Sequence, residues 1–502
     1  MDSLKDPASS IASSYQLEPL SPQTVQSFAR LFGVDQLEKI RTAYDLSLVV
    51  RNKYYSFESL EFWDLGTFGA EILALAFSFQ NPSMKAKSLT LQWNNIQSVT
   101  VFSKLLSGTS ICELDLAENP LKDYGFEEIL LNLGQQIEKI DVYNCDIIKV
   151  NSLSLSRCTK LKVLNIQLNS IGNKGFQELI RGVERVVEVL GVCACEITLI
   201  PEELTRCSCL SDLSLSYNNI QDKGFQVCLE LLNPSKIQKL EVSGCNIHHI
   251  PEDLLSNFQR LCHLDISFNK IGNIGFEMVL KTVGFQIQNL VLKSCEITEV
   301  NIDFLKRCFF MLRLDLSGNK IGSKGFSSIL LGAFPYLQTL QLSDCQIEEI
   351  VPSSLLKKYE KLQELDLSQN PFGDNGFENV VPWISENITK LNLANCKITK
   401  VNPRLLRSCF NLNDLILDKN PLTDEEDTLE LIETVKLLPN LKNLSPDPLP
   451  FLSRIIKLNS SLLFQSIILL LSTTSSIKPR ENSLLELLSR DIVKKIFLAF
   501  GL

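Results

Sequence analysis

The chain has 502 residues, 45% of them hydrophobic and 21% charged, with 22 Gly and 19 Pro. This is the make-up of an ordinary folded protein and excludes collagen-like and low-complexity chains. Lys and Arg number 49 against 58 Asp and Glu, and the net charge of −9 disfavours nucleic-acid phosphate as a partner.

From the amino terminus, MDSLKDPASSIASSYQ has no apolar run of signal-peptide length. Pro22 to Gly33 and Gln36 to Val50 carry helical periodicity, with Ser21 or Asp35 as N-caps. Leu60 and Phe62 then read as strand residues of a decayed repeat, and Leu65 to Leu73 as its helix. Residues 1–88 are therefore expected to form an N-terminal helical cap, because the end of a repeat array must cover an open core.

A pattern L-x-L-x-x-[N/C]-x-[I/L] follows. It starts at Leu89, Leu114, Ile140, Leu164, Leu190, Leu213, Leu240, Leu264, Leu290, Leu314, Leu340, Leu365, Leu391 and Leu415. Successive starts are 23 to 27 residues apart. Two repeat types alternate. One carries Asn119, Asn169, Asn218, Asn269, Asn319, Asn370 or Asn420 and mostly continues as [IL]-[GQK]-x-x-G-F. The other carries Cys145, Cys195, Cys245, Cys295, Cys345 or Cys396 and leads into I-P or V-N before a Leu-rich segment; the first repeat departs from this phase with Asn94.

Each part of the pattern has a physical reading. L-x-L puts two apolar side chains on one face of a short strand. Asn at the turn satisfies backbone groups where the strand ends, and Cys fills the same slot as a small buried group. Gly125, Gly175, Gly224, Gly275, Gly325 and Gly376 are expected at a tight entry to an outer helix. The Phe after each, at 126, 176, 225, 276, 326 and 377, is expected in the core. Cys158, Cys207, Cys308 and Cys409 recur with the repeat as well, which reads as packing and not as a disulfide or zinc framework. Many unpaired cysteines point to a reducing compartment, hence the cytoplasm.

After Ser445-Pro446-Asp447-Pro448, two helical stretches are expected near 451–473 and 481–499. Ser461 to Ser472 is too short to span a bilayer, so membrane contact is not expected. The expected layout is a cap over 1–88, an array over 89–445 and a helical tail over 446–502.

The repeat over Leu89 to Leu444 resembles the leucine-rich-repeat family, and the Asn/Cys alternation resembles its ribonuclease-inhibitor-like and cysteine-containing subfamilies. The I-P segments depart from both. The resemblance implies an α/β solenoid (a horseshoe) with parallel concave strands, convex helices and helical flanks. It also implies a non-enzymatic scaffold that holds a protein partner on the concave face. Other readings are a ubiquitin-ligase substrate receptor, from a fragment at Leu484 to Phe500 resembling the first F-box helix, a GTPase regulator, or a bacterial effector acting in a host cytosol.

Outward strand positions are rich in acids, among them Asp115, Asp141, Asp212, Glu241, Asp265, Asp315 and Asp366, against Lys139, Lys239, Lys293, Arg313 and Lys390. A basic protein partner is the expectation from that face. Trp93, Tyr143, Tyr217 and Phe268 lie on or beside the strands and have the chemistry of binding hot spots. Only His248, His249 and His263 supply imidazole, and no phosphate-binding, dinucleotide, zincin or CxxC motif occurs. No catalytic, cofactor or metal residue is therefore assigned.

Overall fold

The computed structural model describes residues 86–445 apart from 333, 352–358, 385–386, 407, 423–437 and 439, together with the strand at 59–61 and with Ala70 and Ala74. The expected terminal helices at 22–33, 36–50, 451–473 and 481–499 lie outside the described residues. The chain divides into two compact units, one ending at Cys245 and the other beginning at Asn246.

In the first unit, strands Ser59–Glu61, Ser88–Thr90, Glu113–Asp115, Lys139–Asp141, Val163–Asn165, Val189–Gly191, Asp212–Ser214 and Lys239–Glu241 pair in chain order, all parallel. In the second, the same holds from His263–Asp265 through Asn289–Val291, Arg313–Asp315, Thr339–Gln341, Glu364–Asp366, Lys390–Asn392 and Asp414–Ile416 to Asn443–Ser445. The register sets each first leucine beside the next, as in Leu314 beside Leu340, so identical side chains stack along the core. The strand at Ser59–Glu61 carries the pairing one repeat before Leu89.

Helices follow the repeat type. Asn-type repeats carry long ones, such as Lys122–Leu133, Gly172–Val183, Gly272–Val283 and Gly322–Leu331. Cys-type repeats carry a single turn, such as Ser152–Leu155, Glu252–Leu255 and Ile302–Leu305, or the 3₁₀ turn Glu202–Arg206. Two of the V-N segments explain their own ends: the Asn151 and Asn301 side chains cap their turns by accepting from the N–H groups of Leu153 and Asp303.

Phe126, Phe176, Phe225, Phe276, Phe326 and Phe377 are all buried between helix and strand. The glycine before each is needed for a different reason than expected. None of the six is in the left-handed region; each lies inside a helix. A Cβ at Gly275 would stand 2.5 Å from Cβ of Ile271, and one at Gly325 2.7 Å from that of Ile321. Space, not backbone freedom, selects glycine there. The left-handed residue comes three positions earlier, at Lys122, Gly172, Gln221, Gly272, Gly322 and Gly373.

Hydrogen bonds explain the Asn/Cys alternation. Asn119, Asn169, Asn218, Asn319, Asn370 and Asn420 each donate through Nδ2 to a carbonyl of the repeat before, as Asn319 does to Leu292 O at 2.7 Å. Its Oδ1 accepts two backbone N–H groups from that repeat, those of Cys295 and Ile297 at 2.9 and 3.0 Å. Each Cys only donates: Cys145, Cys195, Cys295, Cys345 and Cys396 reach the preceding repeat's carbonyl at 3.2–3.4 Å. The Asn-type turn instead presents the N–H of its left-handed residue to the Cys carbonyl of the next repeat, as Gly322 does to Cys345 at 2.9 Å. A second ladder went unread in the sequence. The residue after the left-handed one accepts two N–H groups of the next repeat, as Asp123 does from Ile148 and Lys149, and Asn273 from Thr298 and Glu299.

Candidate functional site

The outward acids hold the ends of the strands before they do anything else. In the first unit, Oδ1 of Asp115 accepts from the N–H of Ala117 at 3.1 Å, and that of Asp141 from Tyr143 at 3.0 Å. Asn165 repeats the geometry with Gln167 at 3.2 Å and donates through Nδ2 to Oδ2 of Asp141 at 2.8 Å. Such side-chain turns supply the acceptor that the strand lacks where it stops. Burial pushes the Asp141 carboxyl above its ordinary value, against the hydrogen bonds from Tyr143 and Asn165. Glu241 is paired with Lys239 at 2.9 Å, and Asp212 stands half-buried at the first position of its strand.

In the second unit, Asp265 accepts from Ser267 N–H at 2.8 Å and Asp366 from Ser368 N–H at 2.9 Å. Asp315 does the same with Ser317 at 3.1 Å, but its other oxygen faces Lys293 Nζ at 3.1 Å and Arg313 Nη2 at 3.7 Å. Asp315 is 0% exposed. Of these three outward acids, Asp265 and Asp366 are half-buried and Asp315 is fully buried. Two cations cover that carboxylate, one from its own strand and one from the repeat before.

The aromatic positions prove more unusual. The residue immediately before every Asn or Cys slot from 94 to 420 has a left-handed backbone. In the first unit these residues are Trp93, Glu118, Asn144, Leu168, Ala194, Tyr217 and Gly244. In the second they are Phe268, Ser294, Gly318, Asp344, Gln369, Asn395 and Lys419. Trp93 is 64% exposed, Tyr217 59%, Phe268 49% and Leu168 44%. Tyr143 is half-buried, one position earlier than this row. Gly244 gives Tyr217 room, since a Cβ there would stand 2.8 Å from the ring. Leu168 is not aromatic, and its place immediately before Asn169 is the signal that marks it in the sequence.

Among the described residues no group of His, Cys, Asp and Glu is arranged to hold a metal, and no helix is long and apolar enough to cross a membrane.

Leucine-rich-repeat family models match residues 157–179, 206–226, 261–279, 307–330 and 360–380 in one form, and 336–357 and 387–409 in another. No curated protein matches the chain. Among solved structures, a leucine-rich-repeat protein of Leptospira interrogans is 17% identical, covering 78% of this chain and 90% of its own, with a TM-score of 0.44. An internalin of Listeria monocytogenes is 16% identical over 80% of this chain and 94% of its own, with a TM-score of 0.41. The ectodomain of a plant membrane receptor kinase from Arabidopsis thaliana is 18% identical over 71% of this chain and 40% of its own, with a TM-score of 0.39. Likenesses this distant carry no function across. The seven matched segments fall on the period that the parallel strands and the Asn and Cys hydrogen bonds obey, and the chain is a leucine-rich-repeat protein.

Proposed function

We propose that the chain is a non-enzymatic scaffold that binds a protein partner on its strand face, with Trp93, Leu168 and Tyr217 of the first unit as the anchors. One observation carries this reading. The repeat imposes a left-handed backbone at these positions, which costs an ordinary L-residue about 1–2 kcal/mol and costs Gly or Asn much less. Asn144 and Gly244 are the inexpensive solutions in the same row. Trp, Leu and Tyr accept that cost and also leave apolar surface in water. Large, exposed, rigid side chains are what a protein interface uses. The acids beside them, Asp115, Asp141, Asp212 and Glu241, suit a partner with a basic rim, with charge acting chiefly on the rate of association.

The experiment replaces Trp93 and Tyr217 by Asn, separately and together. Stability by chemical denaturation is expected to hold or rise, while a partner captured by the wild-type chain is lost. Reduced stability with capture retained would assign these side chains to packing and remove the reading. Leu153, exposed on a helical turn, supplies the control substitution that leaves capture intact.

The fifteen cysteines, all free thiols and mostly buried, support work in a reducing compartment such as the cytoplasm. The Asn/Cys alternation supports a ribonuclease-inhibitor-like subfamily. The F-box-like fragment at 484–500 lies outside the described residues, and no structural observation favours the ligase-receptor reading.

A further inference from the structure

We propose that Lys293 and Arg313, held by the buried carboxylate of Asp315 on the strand face of the second unit, form a binding site for a carboxylate group of a partner. The proposal does not depend on the Trp93–Tyr217 row.

The geometry starts from Asp315, which is wholly buried and fixed through Oδ1 by the N–H of Ser317. Its Oδ2 draws in Lys293 at 3.1 Å and Arg313 at 3.7 Å, in each case a contact of charge without hydrogen-bond alignment. The guanidinium makes one hydrogen bond, to Oε1 of Gln341 at 2.9 Å, and its Nε makes none. Arg has five N–H donors and Lys three, so most of the donors at this point are unused by the protein. Each cationic side chain remains about two-fifths exposed. Both side chains are thus held by Asp315 while remaining part-exposed.

The residues directly beside the pair are uncharged, and half-buried Asp265 and Asp366 stand one strand further out on either side. In register, Arg313 lies between Asn289 and Thr339, and Asp315 between Val291 and Gln341, none of them ionised. At the strand ends the positions equivalent to Trp93 and Tyr217 are Ser294, Gly318 and Asp344, so these positions put no aromatic ring over the pair. A Cβ at Gly318 would meet Ser294 Oγ at 2.4 Å, so this backbone passes close beneath the serine.

Charge decides between ligands. Lys293, Arg313 and buried Asp315 carry +1 between them, and Asp265, Asp344 and Asp366 further out disfavour a second negative charge on the ligand. A carboxylate neutralises the group, whereas a phosphate dianion would leave net negative charge beside a carboxylate that already lacks water. Planar carboxylate also matches the fork of the guanidinium.

The test uses sodium acetate and inorganic phosphate as probes on the full chain labelled with ¹⁵N-arginine, at constant ionic strength. The Arg313 Nε resonance is identified by its loss in Arg313→Lys. Acetate is expected to shift it saturably, phosphate to shift it less, and Lys293→Gln to weaken the acetate response at least severalfold. An acetate response no larger than that of Arg181, a surface arginine already paired with Glu178 and Glu203, overturns the site. A stronger response to phosphate than to acetate overturns the carboxylate assignment. The wild-type titration decides both points even if Lys293→Gln fails to fold, and neither outcome bears on the anchors Trp93 and Tyr217.

Discussion

The side-chain oxygen of Asn169 accepts the backbone N–H of Cys145 at 3.0 Å, 24 residues earlier in the chain. The same oxygen takes the N–H of Ile147, and the Asn169 amide donates to Val142 O at 2.8 Å. The asparagine of one repeat therefore closes the turn of the repeat before it, and the thiol of Cys145 passes a single donor back to Leu116. Stability along each unit is a chain of such neighbour dependences.

Asn319→Cys tests this asymmetry. A thiol can donate as Nδ2 does, but it cannot replace Oδ1, so the N–H groups of Cys295 and Ile297 lose their acceptor. Two orphaned buried donors are expected to cost roughly 2–5 kcal/mol in denaturant unfolding. A cost below experimental error would show that water reaches the turn.

Phe326→Ala is expected to cost about 3–5 kcal/mol, the range for truncating a fully buried Phe. Phe326 meets Trp383 edge-on, with ring centroids 6.4 Å apart, so the fluorescence of Trp383 should change with the cavity.

Gly275→Ala and Gly272→Asn should part company. The first puts a methyl group 2.5 Å from Cβ of Ile271 and is expected to cost about 1–3 kcal/mol through overpacking. The second occupies a left-handed position, φ +60°, with no atom near its Cβ, and Asn tolerates that backbone. Melting temperatures of the two variants check the order.

Alkaline pH should weaken the fold well before the buried thiols ionise in place. Burial holds Cys145, Cys195, Cys295, Cys345 and Cys396 at about 12, whereas an unfolded thiol ionises near 8.5–9. Between those values the folded chain binds more protons than the unfolded one, so stability falls as pH rises above about 9. Cys345→Ser keeps a donor for Leu316 O but cannot ionise in this range, and it should flatten the decline. At neutral pH these thiols should resist alkylation, and exposed Cys209 should react first.

Asp315→Lys is expected to destabilise by about 3–5 kcal/mol, because it leaves Lys293 and Arg313 facing a third cation at a buried point. Asp265→Asn keeps the acceptor for Ser267 and should be nearly neutral. A charge-reversal test of partner steering therefore belongs at Asp265 and Asp366, with association rates compared at low and high salt.

The sequence alone determined the period, the strand positions, the Asn/Cys slot and the buried phenylalanines. These are legible because each repeat packs against near-copies of itself, so one repeat's pattern states its neighbours' environment. The reason for Gly275, the covering of Asp315 and the left-handed row from Trp93 onward were not legible. Gly275 is selected by a close approach to Ile271 that exists only once the helix turns. Asp315 looks like any L-D-L acid until parallel pairing sets the strand of Arg313 beside that of Asn289 and brings Lys293 over it. The exposure of Trp93, Leu168 and Tyr217 is likewise set by backbone handedness at a turn, a property of the stacked repeats that composition does not carry.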